Sequence, residues 1–199
     1  MKKLVAIIGC VFGVFSTANA AIYQIIPKAG ATQYSILDAA NEIGILGAHL
    51  STTFRSKFGV RKGWMIYAGA GFGYDFASGE DDGVEYEITA MHILLENGFS
   101  YNLNSRFSFT FGLLNSFGIS GDYKTEFGND ANRQSRTIEL ERLRWTQFEF
   151  GAHVVAVRRF KVGFFSAYGA GHFSVEPDGN LSTTSTDNLS FGFVGTYTL

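Results

Sequence analysis

Between Arg106 and Ser120 the chain reads RFSFTFGLLNSFGIS, two stripes woven together. Odd positions carry Phe107, Phe109, Phe111, Leu113, Phe117 and Ile119, broken only by Asn115. Even positions carry Ser108, Thr110, Gly112, Ser116, Gly118 and Ser120, broken only by Leu114. A repeat of two is that of a β-strand with one apolar and one polar face. The pattern returns along the chain. Trp64, Ile66, Phe72, Tyr74 and Phe76 alternate with Gly69, Gly71, Gly73 and Asp75. Phe148 and Phe150 alternate with Gln147, Glu149, Gly151 and His153. Leu46, Ala48, Leu50 and Phe54 oppose Gly47, His49, Ser51 and Thr53. At the C-terminus Phe191, Phe193, Gly195, Tyr197 and Leu199 alternate with Ser190, Gly192, Val194, Thr196 and Thr198. HILLENGFSY sends Ile93, Leu95, Phe99 and Tyr101 to one side and Glu96 to the other.

These runs predict eight strands, near 31–39, 43–54, 64–77, 85–101, 106–120, 143–157, 161–176 and 188–199. Pro27 and Gly30 make 21–30 an N-terminal lead-in, leaving 31–199 for the barrel. Connections alternate in length. Turns are expected at 55–63, 102–105 and 158–160, and polar loops at 78–84, 121–142 and 177–187. Short turns at one end and longer loops at the other are the habit of transmembrane β-barrels. A tilted strand of roughly ten residues crosses the apolar layer, and seven of the eight candidates clear that length.

Composition decides which face points inward. Charged residues are 17% of the chain, against about 25% in soluble domains. Glycine supplies 24 of 199 residues, well above the usual share of about 7%. A soluble barrel needs a solvated outer face rich in Lys and Glu. A face of Ser, Thr and Gly is poor for that and well suited to line a narrow lumen. The fold expected is therefore all-β: an eight-stranded antiparallel transmembrane barrel. Phe107, Phe109, Phe111, Phe148, Phe150, Phe191 and Phe193 should face lipid.

The N-terminus agrees with a membrane destination. Lys2 and Lys3 precede an apolar run from Leu4 to Phe15, and Ala18-Asn19-Ala20 closes it with a small-x-small site. Residues 1–20 read as a secretory signal peptide cleaved before Ala21. A lipoprotein site at Cys10 would leave only Leu4–Ile8 as the apolar stretch, which is too short. Cleavage removes Cys10, the only cysteine, and with it any disulfide or thiol chemistry. It also removes two lysines, moving the formal net charge from −2 to −4. That charge gives no basic footprint for nucleic acid.

Signal peptide, eight alternating strands and loop asymmetry together resemble the small outer-membrane β-barrels of Gram-negative bacteria, of the OmpA/OmpX/opacity type. The terminal FGFVGTYTL is similar to their assembly signal: Tyr197 matches, whereas Leu199 replaces the usual Phe. The resemblance implies residence in the bacterial outer membrane, among lipid and lipopolysaccharide, and insertion by the barrel-assembly machinery. It also implies extracellular loops open to host or surface ligands. It implies no cofactor. Members of the class include structural barrels, adhesins, narrow pores and a few lipid-modifying enzymes, and such a fold does not select among them.

Candidate chemistry is sparse. GAGFG at 69–73 lies inside a strand, without the helix or Lys-Ser/Thr pair of a phosphate loop. His49, Glu96, Glu149 and His153 are expected to point into the lumen. No HxxxH or HExxH spacing exists, so a hydrogen-bonded, charge-paired plug is preferred over a metal site. Arg144 is the candidate partner for the carboxylates. YGAGHFSVEPDG places His172 and Ser174 two apart on the expected outer face. Outer-membrane lipid A deacylases carry a similar His-x-Ser on a late strand, which by resemblance makes His172 the base, Ser174 the nucleophile and Asp187 the acid. Val175 stands where that family has Asn, and Asp187 where it has Glu. A structural or surface-interaction role is the reading preferred over a deacylase or a narrow pore.

Overall fold

The computed structural model describes residues 21–37, 42–127, 134–175 and 182–199. Eight antiparallel strands close into a barrel in chain order: β1 Ile22–Leu37, β2 Glu42–Arg61, β3 Trp64–Asp81, β4 Val84–Asn102, β5 Phe107–Phe127, β6 Gln134–Val157, β7 Phe160–Val175 and β8 Ser182–Thr198. The expected signal peptide falls outside the described residues.

The registers wind around the barrel. Starting at Gln24, the partners are Arg55, Gly69, Glu96, Leu114, Gln147, Gly169 and Asn188, and the last pairs with Tyr34 back on β1. One circuit thus advances ten residues along β1, and that stagger forces the strands to tilt.

Burial is inverted relative to a soluble protein. Phe148, Phe193 and Phe72 are 73, 67 and 65% exposed. Phe107, Phe111, Phe150 and Phe191 are exposed on the same outer face, and Phe109 is half-covered by stacking on Phe150. Inside, Thr53, Arg55, His92, Glu96, Ser100 and Thr110 are all buried. With the backbone groups paired in a closed ladder, the apolar belt meets hydrocarbon and the polar lining meets itself.

The strands are longer than the alternation suggested. Residues 22–30, read as a lead-in, are the first half of β1. Pro27 is tolerated because the β1–β8 ladder lapses there: Ile25 pairs with Tyr197 and Lys28 with Val194, with no pairing between. The turn expected at 55–63 shrinks to Lys62-Gly63, and the loop at 78–84 to Asp82-Gly83. Most of 121–142 is strand, with 128–133 outside the described residues; of 177–187, residues 182–187 belong to β8 and 177–181 are outside. Ile119 is an extra residue in β5, because Met91 pairs with Ser120 and His92 with Gly118. Beyond it the phase reverses, so Ser120, expected in the lumen, is exposed and Tyr123 packs inward.

Candidate functional site: the polar interior

Among the described residues, the inner face carries several groups of polar side chains, and three of them, each assembled from several strands, hold its buried charged and histidine side chains. In the first, Arg55 of β2 grips Glu96 of β4 with two parallel bonds, Nε to Oε1 at 2.7 Å and Nη2 to Oε2 at 2.8 Å. Thr53 Oγ1 donates to the same Glu96 Oε1 at 2.9 Å. Lys28 of β1 bonds Glu149 of β6 and stands 3.6 Å from Glu96 Oε2. Arg55 Nη2 lies 3.8 Å from Glu149 Oε1, and its guanidinium stacks 4.0 Å from the centre of the Tyr67 ring. Two cations thus meet two carboxylates, all buried, in a formally neutral cross-link of four strands. Gly69 leaves the necessary room: a Cβ there would sit 2.7 Å from Glu96 Oε1.

The second group lies further toward the loop-bearing end. His49 Nδ1 hydrogen-bonds Asp75 Oδ1 at 2.6 Å, and His49 Nε2 lies 3.0 Å from Ser51 Oγ. Tyr34 donates its hydroxyl to Asp75 Oδ2. His92 stacks parallel to His49, ring centres 6.2 Å apart, and meets the Trp145 ring edge-on. Between this group and the loop-bearing end, Ile36, Ile43, Ile45, Leu140, Leu143 and Phe173 pack into an apolar plug. The third group faces the short-turn end. There Lys57 Nζ bonds Ser100 Oγ at 3.1 Å, Lys161 Nζ bonds Ser108 Oγ at 3.0 Å, and Thr110 Oγ1 lies 3.2 Å from His153 Nε2.

His49, Glu96, Glu149 and His153 are all buried on the inner face, but only the two glutamates share a layer. Arg144 is not their partner. It is exposed, with its guanidinium 5.3 Å from the Phe117 ring. Arg55 and Lys28 take that role. Their signal was present as unbroken parity: Arg55 and Lys57 continue His49, Ser51 and Thr53, and Lys28 precedes Thr32 and Tyr34. His92 was missed although it shares the parity of Glu96.

His172, Ser174 and Asp187 are not joined into a relay. His172 is exposed, whereas Ser174 is 2% exposed and hydrogen-bonds Thr183 Oγ1 at 3.0 Å. Tyr168 donates to Asp187 Oδ2 at 3.3 Å. A register slip between Glu141 and Arg144 adjoins this stretch of β7. A nucleophile held by another hydroxyl lacks its base. Ser174→Ala should therefore leave the lipid A profile and barrel assembly unchanged, as read by mass spectrometry of lipid A. Loss of a wild-type deacylation in that variant would make the trio catalytic.

A closed, even-stranded antiparallel barrel with an apolar belt and a polar interior is built for the bacterial outer membrane. The chain is an outer-membrane β-barrel. No protein-family model and no curated protein matches it. Among solved structures it is similar to Ail, the attachment invasion locus protein of Yersinia pestis, with 14% identity over 87% of this chain and 98% of that one, at a TM-score of 0.39. It is similar to Neisserial surface protein A, with 7% identity over 88% and 98% of the two chains and a TM-score of 0.48. The outer membrane protein OprG from Pseudomonas aeruginosa gives 14% identity over 92% and 98%, at 0.42.

Proposed function

We propose that the barrel is a surface-interaction protein whose packed interior is scaffold and whose extracellular ribbons meet the partner. The observation that carries this is the length and charge of its central strands. β5 and β6 have 21 and 24 residues, about twice what a membrane crossing needs. The β3–β4 ribbon brings Glu80, Asp81, Asp82, Glu85 and Glu87 to its tip. Across neighbouring strands Glu80 stands opposite Glu85, and Glu85 opposite Glu126. Lys124 forms an ion pair with Glu126. A partner surface bearing positive charge complements these carboxylates, so a basic polypeptide region on another cell or on the host fits this rim.

The test compares cells displaying the wild type with cells displaying Glu80→Gln/Glu85→Gln/Glu126→Gln. Wild-type cells should adhere to immobilised basic polypeptide more than cells lacking the protein, with the excess weakening as salt rises. The triple variant should lose most of that excess while surface abundance stays unchanged. Equal adhesion of the two would refute the reading. Steady single-channel conductance of the wild type in planar bilayers would instead make the barrel a pore.

A further inference from the structure

We propose that the interior also holds a divalent transition-metal ion of the zinc class, bound by His49, Asp75 and His92. Each offers one ligating atom, and these atoms lie within 4.8 Å of one another, all on buried side chains. They come from β2, β3 and β4, so no short sequence spacing announces them. Two imidazoles and one carboxylate suit zinc, which takes N and O ligands at about 2.0–2.2 Å and leaves a fourth position for water.

The surroundings already have the form of an outer ligand shell. Ligating histidines donate their second nitrogen to a neighbour, and ligating carboxylates are themselves hydrogen-bonded. His49 Nε2 lies 3.0 Å from Ser51 Oγ, and Tyr34 donates to Asp75 Oδ2. Without an ion, His49 Nδ1–H donates to Asp75 Oδ1. When Nδ1 ligates, the ring proton sits on Nε2 and goes to Ser51 Oγ.

His92 carries the argument furthest. It is 1% exposed, yet its Nδ1 has no hydrogen-bond partner. Its Nε2 stands 3.8 Å from Asp75 Oδ2, beyond hydrogen-bond length and close to the separation of two ligands on one ion. Burying an imidazole with unused bonding capacity is costly. An ion between His92 Nε2 and Asp75 would take up the lone pair of that nitrogen and leave Nδ1 as the N–H of the ring. Gly73, two residues before Asp75 on the same face, makes the placement feasible, because a Cβ there would collide with the His92 ring. The ion would staple three consecutive strands beneath the apolar plug.

The mature barrel is refolded into detergent with excess Zn2+, freed of unbound metal by gel filtration, and analysed for zinc by mass spectrometry. Folding is monitored by heat-modifiable mobility. The wild type should retain about one zinc per chain. X-ray absorption should report two imidazoles in the ion's first shell. His92→Gln should lose the zinc, while His172→Ala, which alters an exposed histidine, should keep it. A folded wild type without zinc overturns the proposal whatever the variants do. So does a spectrum without imidazole scattering, or zinc retained by folded His92→Gln.

Discussion

Glu96→Ala should cripple folding of the barrel. The substitution removes both bonds of Arg55 and leaves a buried guanidinium, 1% exposed, with only Glu149 at 3.8 Å, a carboxylate it must then share with Lys28. Breaking a buried ion pair from one side costs about 3–5 kcal/mol, because the remaining charge stays desolvated. That is a large part of the stability of a small domain, about 5–15 kcal/mol. The check is equilibrium unfolding by urea in lipid vesicles, followed by the fluorescence of Trp64 and Trp145, the chain's two tryptophans. The complementary variant is Arg55→Met/Glu96→Leu, which removes both charges and fills the space. It should recover most of the loss, since well-packed apolar replacements of buried pairs are often neutral. A Glu96→Ala barrel within about 1 kcal/mol of the wild type, on the scale of an exposed pair, would mean that water reaches the Arg55 layer.

The parity of the strand centres was legible because lipid and lumen impose opposite demands on alternate residues. Phe148 and Glu149 sort themselves on that rule alone. The strand ends were not legible for a reason peculiar to this architecture. In a soluble protein a polar stretch such as Arg55-Ser56-Lys57 marks a turn, and here Arg55 and Lys57 of that stretch line a polar interior. Arg55 fell into a segment read as a turn for that reason, and Lys28 into a lead-in read from Pro27 and Gly30. The extra residue at Ile119 has no local signature, since Gly118 and Ser120 suit either face. The grouping of His49 with Asp75 and His92 depends on cross-strand register around a staggered barrel, which alternation within one strand does not encode.

Phe111→Arg and Thr110→Arg test the two faces one residue apart. Phe111 lies mid-strand on the outer face, 46% exposed, opposite Phe99 on one side and Phe150 on the other, with the Phe150 ring 5.1 Å away. A cation there meets hydrocarbon, and at the midplane of a barrel's outer face it costs about 2–4 kcal/mol. Thr110 is 2% exposed, with its hydroxyl 3.2 Å from His153 Nε2. Arginine at that position meets a filled interior. Its cost is set by overpacking, typically about 1–3 kcal/mol. The two losses are comparable in size, so stability alone does not separate the faces. Cysteine introduced singly at each position separates them, because the mature chain is expected to carry no other thiol. A fluorophore on residue 111 should be quenched by brominated lipid, and one on residue 110 should not. Quenching at 110 with none at 111 would require the phenylalanine stripe to line the lumen, and the barrel would be inside out.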